Sequence, residues 1–262
     1  MRLALLALLA LAACSSTASA PPPQNSAPAP RVPADLGHLV IVTASARTDA
    51  TPGFVPITSQ VPLVDPAQQM PPNTTVSVVD ARGASGTFTS NAPTKIAFGC
   101  DGNQLDVTPL AGTAKLSPGI AWALSDAAAR PTANAPIVVT MDSKAAYGFG
   151  DLSVVVERDA KKQDHGRLRF VVDDVDAGTF DFERTLMDGA DPSMAKLDLR
   201  EGGPAIPVAL AAWSIDGSGH PPFLVAIERP SWEGTSIEGW LVEAHSVKQI
   251  EPMTTYLYQC AF

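Results

Sequence analysis

Aromatic residues make up only 6% of this 262-residue chain, and cysteine occurs three times. Histidine occurs at four scattered positions, His38, His165, His220 and His245, without H-x-H or HExxH spacing. A transition-metal site would therefore need ligands brought together by folding alone. There is no G-x-S-x-G elbow, no glycine-rich phosphate loop, and no S-x-x-K beside the companion motifs of penicillin-binding enzymes. The residues thus name no catalytic group and no cofactor. Basic charge is also scarce: 18 Lys and Arg stand against 27 Asp and Glu, a formal charge of −9. A chain this acidic is poorly suited to hold nucleic acid, which needs clustered cations. The one basic cluster, Arg158 with Lys161 and Lys162, is interrupted by Asp159 and reads as a solvated hairpin tip.

The chain opens Met1-Arg2 and then uses only Leu and Ala from Leu3 to Ala13. One positive charge before a short apolar run has the layout of a secretory signal, and the run is too short to span a bilayer. It ends Leu11-Ala12-Ala13-Cys14, which resembles the lipobox of bacterial lipoproteins. The resemblance covers about the first 16 residues and implies that 1–13 are removed and that Cys14 carries acyl chains. In that family an Asp after the cysteine favours the inner membrane. Ser15 and Ser16 stand here, which implies an outer-membrane anchor facing the periplasm or the cell surface. A second reading stays open: Ala18-Ser19-Ala20 is an A-x-A site, and cleavage before Pro21 would release a soluble exported protein.

Residues 14–34 continue as a Pro, Ala and Ser-rich stretch with almost no large apolar side chain. Such a segment cannot offset its ordering entropy by burial, so it reads as an extended tether of up to ~60 Å. A globular domain is expected over 35–262, as one unit or as two β subdomains divided near 145. Hydrophobic content of 45% is enough for a core.

Within that domain the hydrophobic period is mostly two. Strands are expected at Leu39–Thr43, Thr75–Val79, Thr94–Cys100, Gln104–Thr108, Ile120–Leu124, Ile137–Met141, Leu152–Glu157 and Arg167–Val172. Further runs follow at Thr179–Arg184, Val208–Ile215, Phe223–Glu228, Gly239–Glu243 and Thr254–Cys260. Asp126–Arg130 and Pro192–Lys196 each suggest one helical turn. The fold class expected is all-β, an antiparallel β-sandwich or open barrel-like domain with few short helices. Ile96, Phe98 and Cys100 alternate, as do Tyr256, Tyr258, Cys260 and Phe262, so each cysteine shares a strand face with large apolar neighbours. A Cys100–Cys260 disulfide is therefore expected in an oxidising compartment, against two unpaired thiols as the alternative. The C-terminal alternation also resembles the last strand of outer-membrane β-barrels, but short proline-punctuated strands favour a soluble sandwich.

Candidate sites are few. Ser214-Ile215-Asp216-Gly217-Ser218-Gly219 resembles the calcium loop of FG-GAP-type propeller repeats, but Ser214, Ser218 and Pro222 stand where acidic residues belong. It reads as a hairpin turn. Asp173, Asp174 and Asp176 before Gly178 form the densest acidic cluster, read as a solvated turn. Trp232 and Trp240 offer a stacking platform for a sugar ring, with a place in the core as the blander reading. Ala121-Trp122 and Ala212-Trp213 form a faint internal echo, for which chance composition is a better explanation than two related β subdomains. The resulting expectation is a membrane-tethered envelope protein acting as a binding or structural module on an envelope protein or glycan. The alternatives are a hydrolase of peptidoglycan, glycan or ester, and an inhibitor or immunity-type protein.

Overall fold

A strand with one wet face must alternate, whereas one buried on both faces need not. Both patterns occur in this chain, and they sort its strands into layers. The computed structural model describes residues 36–42, 63–64, 70–97, 104–117, 119–124, 131–141, 143–183, 206–230 and 234–258. Among them every regular element is a strand, and all pairings are antiparallel, in three sheets. The all-β class is as the sequence leads one to expect. Asp126–Arg130, Pro192–Lys196, Cys14, Cys100, Cys260 and Trp232 lie outside the described residues.

The first sheet holds β1 (His38–Val42), β2 (Leu63–Val64), β3 (Thr75–Asp80), β4 (Ser85–Ser90), β5 (Thr94–Ala97), β6 (Gln104–Gly112) and β7 (Gly119–Leu124). Its order is β2-β1-β7-β3-β4-β6-β5, and β2 also pairs with β6, so the ladder curls back on itself like a small barrel. Val40, Val76, Val78, Phe88, Leu110, Ala121 and Ala123 fill the inside of this curl.

The second sheet runs β13-β12-β11-β10-β9, with β9 at Ile137–Met141, β10 at Lys144–Phe149, β11 at Leu152–Arg158, β12 at His165–Val172 and β13 at Val175–Glu183. The third runs β17-β16-β15-β14-β8, with β8 at Thr132–Asn134, β14 at Val208–Ser214, β15 at Phe223–Pro230, β16 at Gly234–Val242 and β17 at Val247–Tyr258.

The third sheet is the middle layer. Phe223, Val225, Ile227, Trp240 and Val242 pack against the second sheet's Phe149, Leu152, Val154, Leu168 and Phe170. On the opposite face Trp213, Ile215, Leu224, Ala226 and Ile237 pack against Leu39, Val79, Ile120, Trp122 and Leu124 of the first. This double burial explains why VALAAWS and FLVAI read as continuous apolar runs although the sheet is antiparallel. By contrast β12, HGRLRFVV, shows the alternating burial of a strand with one covered face. Ala145, near the division considered between two subdomains, lies inside β10 and belongs to the core shared by the second and third sheets. The two tryptophans of the internal echo meet across the other interface, their ring centres 6.3 Å apart.

Two glycines are required by close approach. Gly112 stands opposite Phe88, and Gly166 opposite Phe182, each directly across a strand pair. A β-carbon on Gly112 would come within 2.4 Å of the Phe88 ring, and one on Gly166 within 2.3 Å of the Phe182 ring. Phe88 is buried inside the barrel, whereas Phe182 is partly exposed at a sheet edge and can swing outward. Gly112→Ala is therefore expected to cost about 2–3 kcal/mol by overpacking, and Gly166→Ala less than about 1 kcal/mol. Urea unfolding of the two variants checks this ranking. Equal losses would show that Phe88 relaxes as freely as Phe182.

Candidate functional site

The outer face of the second sheet carries one row of charged residues. Cross-strand register aligns Lys144, Glu157, Arg167 and Asp181 on four successive strands, with alternating charge. Lys144 Nζ lies 2.9 Å from Glu157 Oε1, and Arg167 Nε 2.9 Å from Asp181 Oδ1. The hydrogen bond from Lys144 holds the Glu157 carboxyl below the usual carboxylate range. Opposite charges directly across a ladder stabilise pairing, and the row makes this face wettable.

That pattern stops at β9. Its sequence, IVVTM, has no charge, and all five residues are exposed. Ile137 is 76% exposed, Val139 54% and Met141 55%. By register these three side chains share the outer face with Gly148, Ala146 and Lys144 of β10, while Val138 points to the inner face beside Tyr147. Val138 is nonetheless 51% exposed. Among the described strands β9 pairs only with β10, so its other edge presents a main-chain ladder. Sheet proteins usually blunt such edges with charge, proline or a bulge. β9 has none of these within its five residues.

The sequence-derived candidates fall elsewhere. Ser214 to Gly219 forms part of the loop between β14 and β15. There Asp216 Oδ1 accepts from the Ser218 N–H at 2.9 Å and lies 3.1 Å from the Ser214 hydroxyl. The Ser218 hydroxyl contributes most to holding the Asp216 carboxyl below its ordinary range. The carboxylate serves the loop itself. His220, in the same loop, meets Asp151 at 2.5 Å and clasps the loop to the β10–β11 turn.

Asp173 and Asp174 form a two-residue turn between β12 and β13 with φ of 50° and 63°, the left-handed pair that a tight hairpin demands. Asp176 pairs with Arg169 at 3.3 Å. This cluster is a tight hairpin turn, as the solvated-turn reading expects. His38 sits on β1, His165 on β12 beside Asp164, and His245 between β16 and β17. Among the described residues no three His, Cys, Asp or Glu side chains gather to hold a metal.

Trp240 is buried between the second and third sheets, its ring 4.7 Å edge-to-face from Phe180. It lines a cleft of about 170 Å³ at the β13 side of that interface, together with Phe180, Phe182, Arg229 and Gln249. Behind the cleft, Arg229 Nη1 meets Glu238 Oε1 at 3.1 Å. Glu238 is buried, and among the described residues its Oε2 and the Trp240 Nε1 have no hydrogen-bond partner.

Sequence reasoning did not single out Glu238, Arg229 or the exposure of β9. The architecture defines an all-β protein of three stacked sheets with, among the described residues, an unpaired edge at β9 and an interlayer cleft. Comparison with protein-family models, curated proteins and solved structures finds no match to this chain.

Proposed function

We propose that this chain is a lipid-anchored envelope protein that binds an extended segment of a protein partner along β9. The observation that carries the reading is the exposed, uncharged edge strand with Ile137, Val139 and Met141 in one row. An added strand would satisfy the free main-chain groups and place alternate apolar side chains against that row, the usual logic of strand addition. The leader with Cys14 and the proline-rich tether support the envelope address. A second copy fits the edge less well. Two chains of charge −9 repel, and five residues a side fall far short of the ~800 Å² per partner of a stable interface. Charge complementarity therefore favours a partner segment that is apolar in alternation and basic at its flanks.

The test uses the full chain in its own host, with a photoreactive residue at Val139 or, as control, at Thr179 on the opposite edge strand. The expected result is one discrete adduct from position 139, mapped to an extended partner segment and absent from position 179. In the otherwise native chain, Val139→Lys should abolish co-purification of that partner while leaving the melting temperature unchanged, because Val139 is exposed. An adduct of the chain with itself would overturn the partner reading in favour of self-pairing, and no adduct would overturn both. Intact mass of the same preparation tests the anchor. A mass starting at Cys14 plus acyl chains is expected, and one starting at Pro21 would make the protein soluble.

A further inference from the structure

Met141 ends β9, and its side chain stands in the apolar row with Ile137 and Val139. It is more than half exposed, whereas Met70 is buried in the core of the curled first sheet. These are the two methionine side chains among the described residues. The cross-strand neighbour of Met141 is Lys144, whose ammonium group is taken up by Glu157. A small solute can therefore reach Met141 in the folded chain, while reaching Met70 requires the first sheet to open.

The thioether is the one readily oxidised group in the row, since the hydrocarbon side chains of Ile137 and Val139 offer a peroxide nothing to attack. Oxidation turns a flexible apolar side chain into a polar sulfoxide. On the solvated face of an edge strand this change breaks no core contact. Against an apolar partner residue the sulfoxide oxygen would be buried without a donor, which costs affinity.

We propose that Met141 is a reversible oxidation site that releases the partner bound along β9. The inference rests on the β9 reading and adds its regulation. The oxidant is hydrogen peroxide. The sulfur electron pair attacks one peroxide oxygen and the O–O bond breaks. The other oxygen leaves as water after taking up the proton of the first. Sulfur gives up two electrons, and the peroxide gains them. Methionine sulfoxide reductases reverse the change, one enzyme for each sulfoxide epimer.

The test adds hydrogen peroxide to washed host membranes carrying the full chain with the photoreactive residue at Val139. Peptide mass mapping should find one added oxygen on Met141 and none on Met70, with the melting temperature of the purified chain unchanged. The adduct yield from position 139 should fall about tenfold, as burial of an unpaired polar group implies. It should return after treatment with both reductases and a thiol reductant. In Met141→Leu, which offers no sulfur, the yield should be the same before and after peroxide. Met141→Gln, with a polar oxygen near the position of the sulfoxide, should give the reduced yield without any peroxide.

An adduct that survives oxidation of Met141 would overturn the proposal. So would an equal loss on peroxide in Met141→Leu, or a full yield from Met141→Gln. Met70 oxidised as fast as Met141 in the folded chain would remove the selectivity on which the proposal stands. An untreated native chain that gives no adduct would overturn the β9 reading and this one with it, whereas the other results leave that reading in place.

Discussion

Replacing Asp80 with alanine is expected to remove about 4 kcal/mol of folding stability, a large share of the 5–15 kcal/mol that a domain commands. Asp80 is fully buried at the end of β3. Its Oδ1 accepts the N–H groups of Arg82 at 2.8 Å and Ala84 at 2.9 Å, and its Oδ2 accepts that of Ser117 at 2.6 Å. The first two close the turn into β4, and the third fastens the segment after β6 to that turn. Alanine leaves three donors without this acceptor, and each orphaned buried group costs about 1–3 kcal/mol. The total falls below the sum because some of these donors lie near enough to the surface to find water.

Asp80→Asn should cost only about half as much, since one oxygen remains for two of the three bonds. Urea unfolding of both variants provides the check, read as a midpoint shift at constant slope. A loss below about 1 kcal/mol for the alanine variant would show that solvent takes over the carboxylate's role.

The second large effect is expected at Trp213, which is fully buried on β14. Its ring meets Trp122 of β7, and its indole N–H donates to the Asp80 carbonyl at 3.3 Å. One side chain thus joins the middle sheet to the curled first sheet by packing and by a hydrogen bond. Trp213→Ala should cost about 3–5 kcal/mol, the usual range for emptying an aromatic site. A second signature separates this from ordinary core loss. With the link removed, thermal unfolding should divide into two transitions, the curled sheet melting apart from the other two.

Trp122→Ala should produce the same division. The double variant should cost less than the sum of the single ones, since the two rings share one contact. A single transition in every variant, with additive losses, would mean that the interface holds without this pair.

Most strands were legible because alternation and β-branched content register directly in the local sequence. Two that were not, β4 (SGTFTS) and β10 (KAAYGF), are poor in large apolar residues. They are strands because Phe88 and Phe149 anchor them in cores built by distant residues. The unbroken apolar runs of β14 and β15 carried the sign of a middle layer, yet a sandwich of two layers also accommodates short runs of that kind. Three layers follow from long-range pairing, which local pattern does not encode. For the same reason IVVTM reads as a strand without showing its place in the sheet; only sheet order puts it at an edge. The Asp80 turn announces itself by Asp80-Ala81-Arg82-Gly83, but its tie to Ser117 is set by the barrel's curl. The pairing of Glu238 with Arg229 likewise depends on the β15–β16 register, which sets Glu238 opposite Ile227, two residues from Arg229 along the neighbouring strand.

Stacked sheets stand about 10 Å apart, so the outer layers of this fold are separated by about 20 Å. The chain enters the described structure through β1, in one outer layer, while β9 belongs to the other. With the proposed anchor at Cys14, the middle sheet becomes a rigid standoff, dry on both faces and hard to compress. It sets β9 two sheet spacings away from the layer in which the anchored end of the chain arrives.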